Sequence, residues 1–233
     1  MGVIILTRYA MVINLHKCAG CSGCQIACKS ENNVSEGMFW SHHITRTTGT
    51  FPNVNYEYIP TLCNHCENAA CVKACPTTAM HKDENGLTLH DPDKCIGCKS
   101  CMQACPYGVI NFNKKEPHEY WRNNQPLIKN GTSCGIEVAN KSGEKIPYYN
   151  PDRETTYEGT RPKGIIEKCT FCDHRLKVGE QPYCVTSCPS DARLVGDLDD
   201  PNDPIHELLA KYKSSVLQPE KGTKPRVFYL RDY

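Results

Sequence analysis

Residues 94–108 read KCIGCKSCMQACPYG, and the spacing of the cysteines in this stretch decides the fold. Cys95, Cys98 and Cys101 recur at every third residue, Cys105 follows four positions later, and Pro106 comes next. Working outward, three more runs of four share that plan. Cys18, Cys21, Cys24 and Cys28 repeat the spacing in full, while Cys63, Cys66, Cys71, Cys75 and Cys169, Cys172, Cys184, Cys188 widen only the middle gap. Every run opens with C-x2-C and closes with C-x3-C. Proline follows the last cysteine as Pro76, Pro106 and Pro189, whereas Lys29 stands there in the first run.

Such a run suits a small metal–sulfur cube. Thiolates two residues apart let a tight loop wrap one corner of a [4Fe–4S] cluster with backbone N–H groups turned toward its sulfides. Gly20, Gly23 and Gly97 allow the close approach and positive φ that the loop needs. The fourth cysteine, one helical turn after the third, cannot easily reach the same small cluster as the rest of the loop and is free to reach a neighbouring one, as in bacterial two-cluster ferredoxins. The proline after it turns the chain away. Crossing then gives four ligand sets: Cys18, Cys21, Cys24 with Cys188; Cys169, Cys172, Cys184 with Cys28; Cys63, Cys66, Cys71 with Cys105; and Cys95, Cys98, Cys101 with Cys75. The alternative is that each run encloses its own cluster.

Other uses of cysteine fit less well. Structural zinc takes two C-x2-C pairs across a longer loop, which the fourth run resembles and the compact first and third do not. Disulfides between residues three apart are geometrically awkward, and no run has the C-x-x-C-H of haem attachment. Sixteen of the seventeen cysteines are accounted for in this way, and Cys134 reads as an unligated thiol.

The chain has 233 residues, a hydrophobic share of 39% that includes the cysteines, and a formal charge of +1. Residues left for an ordinary apolar core come to about a third of the chain, so metal must help hold it together. Near-neutral charge gives no electrostatic reason to expect nucleic acid. Each oxidised cluster with its four thiolates carries about −2, so four of them bring the holoprotein to about −7. Lys17, Lys94 and Lys168 each precede the first cysteine of a run. They read equally well as cations offsetting cluster charge and as solvated strand ends. His65 and His174 stand near runs that already supply four thiolates, and they read as neighbours of the clusters or as surface residues.

Short apolar or alternating stretches before the runs, Met11–His16, Leu87–His90 and Ile165–Ile166, predict strands, as do Val109–Phe112 and Leu194–Val195 after them. The expected fold is α+β, with two bacterial-ferredoxin-like domains of two clusters each. Residues 58–112 hold runs two and three, residues 8–57 plus 165–198 form a discontinuous domain from runs one and four, 113–164 is an irregular inserted loop region, and 199–233 is an extended tail. Val227, Phe228, Tyr229 and Leu230 in that tail read as a strand, placed by preference on a partner because a terminal apolar segment needs a surface to cover it. The apolar stretch Gly2–Leu6 is broken by Thr7 and Arg8, too short for a membrane span or a signal-peptide core.

No nucleotide loop or nucleophile elbow is present, and all-cysteine ligation leaves no open iron for a substrate. The expected role is electron transfer, with catalysis placed in another chain; a free-standing polyferredoxin carrier is the competing reading.

The segments TLCNHCENAACVKACP (61–76), KCIGCKSCMQACPYGV (94–109) and KCTFCDHR (168–175), with the wide gap in run four, resemble the iron–sulfur subunits of the dimethyl sulfoxide reductase family of molybdenum and tungsten enzymes. The resemblance implies a large catalytic subunit carrying a bis-pterin molybdenum or tungsten cofactor, and a quinol-oxidising membrane subunit or a cytochrome as the other electron partner. It implies that runs one and four lie toward the catalytic subunit and runs two and three toward the electron exit. Related nitrate reductases carry tryptophan at the position of Cys98, so its presence here implies a fourth cubane. WSHHITRTTGTFPNVNYEYIPTLCNHC (40–66) and GTKPRVFYL (222–230) resemble the small subunits of respiratory arsenate reductases. Relatives acting on polysulfide, thiosulfate, tetrathionate or phenolic substrates share parts of these stretches. The family also implies a periplasmic or outward-facing location by co-export with the catalytic subunit, with the cytoplasm as the alternative.

Overall fold

The computed structural model describes residues 7–116, 137, 141–143 and 161–231. Gly2–Leu6, Cys134 and most of the 113–164 insertion lie outside them. Within the described residues, no helix is long and apolar enough to cross a membrane.

The sequence YAMVIN forms β1 (Tyr9–Asn14), which is buried on both faces. Alternation along the strand divides its side chains. Met11 and Ile13 pack with Trp40, Leu62, Phe171 and several cysteines, whereas Ala10 and Val12 pack with Ile205 and Leu230 on the opposite side. The second face is covered by a helix, Pro204–Lys211. Its start is set by Asp203, which accepts a hydrogen bond from the Ile205 N–H at 2.9 Å, and by Pro204 in the first turn. Asp203 also accepts the Asp197 N–H at 2.8 Å, which ties the helix to the end of β8 (Arg193–Asp197).

The sheet runs β8-β1-β10-β9, where β9 is Ser214–Ser215 and β10 is Val227–Leu230. Strand β10, expected above to lie by preference on a partner, instead pairs inside this chain. It runs parallel to β1, with Met11 opposite Val227 and Asn14 opposite Leu230, and antiparallel to β9. Both of its edges are used and Val227 and Leu230 are fully buried, so the cover that the apolar segment needs comes from its own sheet.

Three two-stranded pairs complete the β-structure: β2 (His42–Thr50) with β3 (Asn53–Thr61), β4 (Met80–Lys82) with β5 (Thr88–His90), and β6 (Asn111–Phe112) with β7 (Ile166–Glu167). The β2–β3 hairpin is new relative to the sequence reading. Val54, Tyr56 and Tyr58 alternate with polar residues along β3 and offered a signal for it, whereas β2, HHITRTTGT, is mostly polar.

Three helices start at or one residue before the third cysteine of a run: α1 (Gly23–Glu31), α2 (Ala70–Lys73) and α3 (Ser100–Ala104). In run four, Tyr183–Thr186 does the same. Helix α1 packs on Tyr183–Thr186, and α2 on α3. Where proline follows the fourth cysteine the helix stops; Lys29 permits α1 to continue to Glu31, and its ammonium donates to the carbonyls of Val34, Ser35 and Met38.

The pairing of β6 with β7 joins runs three and four, and Gly97 fits tightly there. It has φ +68°, and a Cβ on it would stand 2.0 Å from the Gly164 carbonyl oxygen. Left-handed strain for a side chain costs roughly 1–3 kcal/mol, before the clash with backbone is counted. Gly97→Ala is therefore expected to lower the thermal midpoint by about 5–10 °C, measured by circular dichroism on the cluster-loaded chain.

Candidate metal centres

All sixteen cysteines of the four runs are unpaired and gather around four cavities. Cys18, Cys21, Cys24 and Cys188 wall the first, with Tyr58, Pro60 and Arg193 beside them. Cys28, Cys169, Cys172 and Cys184 wall the second, against Met11, Leu62 and Phe171. Around the third stand Cys63, Cys66, Cys71 and Cys105, with Tyr107 and Thr223. Cys75, Cys95, Cys98 and Cys101 surround the fourth, beside Met80 and Ile166. The fourth cysteine of every run thus lines the cavity of its partner run.

Each cavity leaves roughly 270–360 Å³ free of atoms, part of it open to solvent. Among the described residues, no three His, Cys, Asp or Glu side chains converge closely enough to hold one metal ion. Four thiols around one such space match the outer ligands of a multi-iron cluster.

Local chemistry repeats between runs. The Met80 N–H donates to the Cys75 Sγ at 3.4 Å, and the Ala192 N–H donates to the Cys188 Sγ at 3.3 Å. A hydroxyl two residues on, Thr77 or Ser190, lies near the same sulfur. Burial pushes both thiols up, but these donors outweigh it and hold them below the ordinary cysteine value. In the second cavity, the Phe171 N–H donates to the Cys169 Sγ at 3.3 Å, and the buried Asn32 amide reaches Cys28 at 3.7 Å and Cys172 at 3.8 Å.

Burial dominates the other thiols. Cys28 and Cys169 are driven well up by burial and by the neighbouring cysteines, Cys71 and Cys172 to about 12, and Cys101 to about 11. Without metal these sulfurs stay protonated at neutral pH, so loading iron releases protons. That donor set, all sulfur with N–H groups aimed at it, fits a [4Fe–4S] cluster.

The cavities follow one another in order. Cys24 of the first lies near Cys184 of the second, Cys169 of the second lies near Cys63 of the third, and α3 carries Cys101 with Cys105 immediately after it, linking the fourth to the third. The second cavity has four buried cysteines, whereas the first and fourth each have an exposed one, Cys21 and Cys98.

His65 bridges the middle of this line. Its Nδ1 accepts the Thr88 N–H at 3.1 Å, so Nε2 carries the proton and donates to the Cys169 carbonyl at 3.2 Å. Burial first, then Lys168 and Lys82, lower its pKa far below the usual histidine value, and it stays neutral. His174 lies at the side, 2.8 Å from Glu31. Of the three lysines that precede runs, Lys17 is exposed and Lys94 pairs with Asp91 at 2.8 Å in solvent. Lys168 is buried and donates to the carbonyls of Thr88 and Cys169.

Sequence reasoning missed Tyr58, Asn32, Tyr107, Thr223 and Arg193, which contribute to the cavities from outside the runs. A signal existed for Arg193. It stands five residues after Cys188, the offset at which run two has the apolar Met80 after Cys75.

Residues 54–132 and 94–192 match the 4Fe-4S dicluster domain, and residues 15–35 match the 4Fe-4S binding domain. The chain is 56% identical over 227 residues to the arsenate respiratory reductase iron-sulfur subunit of Shewanella sp. strain ANA-3, with 97% of each chain covered. It is 40% identical to a subunit of the selenate reductase of Mesobacillus selenatarsenatis, over 96% of this chain and 72% of that one. To a subunit of the tetrathionate reductase of Salmonella typhimurium it is 34% identical, again over 96% and 72%.

Proposed function

The chain belongs to the iron–sulfur subunits of the dimethyl sulfoxide reductase family, and on that premise we propose that it relays electrons through four [4Fe–4S] clusters held by its sixteen run cysteines. The observation that carries this reading is the crossing of every fourth cysteine into its partner run's cavity, which leaves each cavity with four thiols. Two ferredoxin-like units, one from runs two and three and one from runs one and four, account for the packing of α2 on α3 and of α1 on Tyr183–Thr186. Exposed cysteines in the first and fourth cavities suit a line of clusters with an electron entry at one end and an exit at the other.

The chain is an electron-transfer subunit, not catalytic alone, and its partner in our reading is a large subunit with a bis-pterin molybdenum or tungsten cofactor. Arsenate is the proposed substrate of that subunit, supported by 56% identity along the whole chain to a subunit of an arsenate respiratory reductase. Electrons enter from a quinol-oxidising membrane subunit or a cytochrome. The β2–β3 hairpin argues against a free carrier: Phe51 in its turn is 91% exposed, Val54 and Tyr56 are exposed on one of its faces, and Tyr58 and Pro60 farther along β3 line the first cavity. Apolar side chains gathered in this way mark a contact surface.

Purification from periplasmic and cytoplasmic fractions tests the assembly and its location together. The expected result is a periplasmic complex in which a large molybdenum- or tungsten-containing chain accompanies this one and reduces arsenate. An active, metal-loaded monomer with no such companion would establish the free carrier instead. A cytoplasmic complex would refute co-export.

A further inference from the structure

Arg193 begins β8 and is 5% exposed, with its guanidinium between the first and second cavities. It lines the first cavity beside Cys18, Cys24 and Cys188, and lies against the Cys184 thiol of the second. One terminal nitrogen donates to the Ser41 hydroxyl at 3.4 Å. The other, Nη1, is buried with no hydrogen-bond partner. Among the described residues, no carboxylate forms an ion pair with it. A permanent cation removed from water without a counterion is heavily penalised, and so is each unpaired N–H on it. The surroundings supply sulfur in place of oxygen. Lys168, also a buried cation, differs in that carbonyl oxygens accept from its ammonium.

We propose that Arg193 is the shared counter-cation of the first two clusters, donating its free Nη1 N–H to sulfur and holding both reduction potentials up. The proposal rests on the reading that these cavities hold [4Fe–4S] clusters. Each such cluster with its thiolates carries about −2, and about −3 when reduced, so a nearby fixed cation favours the reduced form. Hydrogen bonds to cluster sulfur act in the same direction. The location gives the effect its selectivity, since Arg193 contacts cysteines of the first two cavities and of neither of the others.

The test is an EPR-monitored redox titration of the cluster-loaded full chain, comparing Arg193→Gln with Arg193→Lys. Cys18→Ser and Cys169→Ser variants first assign the signals of the first and second cavities. If these two variants alter one and the same signal, the ligand sets are wrong, whatever Arg193 does. With the signals assigned, Arg193→Gln is expected to shift both toward the oxidised form at least tenfold in the one-electron equilibrium, which is 59 mV. The other two signals stay in place, and Arg193→Lys stays near the native values. Loss of only those two clusters in Arg193→Gln, with retention in Arg193→Lys, also supports the charge role. Unchanged potentials at full iron and sulfide content overturn the proposal. Equal loss of clusters in both variants overturns it too, since that would reveal a packing role alone.

Discussion

Cys28→Ser is expected to remove or alter the cluster anchored by Cys169, Cys172 and Cys184 while leaving that of Cys18, Cys21 and Cys24 comparatively intact. Cys28 ends the first run, yet its sulfur stands in the second cavity, where the Asn32 amide reaches both Cys28 and Cys172. Helix geometry is the cause. Cys24 and Cys28 lie one turn apart on α1, and the packing of α1 against Tyr183–Thr186 presents Cys24 to one cavity and Cys28 to the other. Complete loss of one cluster would cost about a quarter of the iron, roughly four atoms from a full complement of about sixteen. Iron analysis and EPR on Cys28→Ser, Cys169→Ser and Cys18→Ser decide the matter. The spectrum of Cys28→Ser should resemble that of Cys169→Ser; if it matches Cys18→Ser, each run encloses its own cluster and the crossing is wrong.

Anaerobic removal of iron with a chelator should unfold the chain, with loss of its cooperative thermal transition. The larger apolar cluster counts Cys28, Cys63, Cys169 and Cys184 among its buried members, and a second includes Cys101 beside Met80, Ile110 and Ile166. These side chains wall the cavities, so removing the metal leaves the core open at its centre. Magnitudes favour unfolding. Domains are stable by about 5–15 kcal/mol in total, and binding free energy at one structural metal site can reach about 10–16 kcal/mol. Among the described residues, the small cluster of Ala10, Val12, Ile205 and Leu230 is the one apolar cluster built without cysteine. Circular dichroism melts of loaded and stripped protein provide the check, and a stripped chain that melts sharply near the loaded midpoint would show that an ordinary core suffices.

The four runs were legible because ligand spacing is a local property, and the strands before them because short apolar stretches bounded by turns are local too. Boundaries moved by a residue or two. The first strand stops at Asn14, whose side chain accepts the His16 N–H and whose carbonyl accepts from Lys17 and Cys18, turning the chain into the first run. What stayed hidden depends on distant partners. Val227–Leu230 announces a strand but not which strand it joins, and its parallel register with β1 spans nearly the whole described chain. Arg193 looks like an ordinary surface charge until β8 carries it beneath the first cavity. The lysines before the runs were indistinguishable in sequence, and burial alone separates Lys168 from Lys17 and Lys94.

The insertion of β10 between β1 and β9 bears on how the molecule is made. Synthesis runs from β1 toward β10, and β10 leaves the ribosome only after Cys188, the last of the sixteen thiols. Until then one edge of β1 has no neighbour, and Val227 and Tyr229 are missing from the apolar cluster that also holds Met11, Ile13, Cys28, Cys169 and Cys184. Contacts of such long sequence separation form late. The sheet beside the first two cavities is therefore held by pairing between stretches far apart in sequence, and Val227–Leu230 ties the end of the described chain to the strand that leads into the first run.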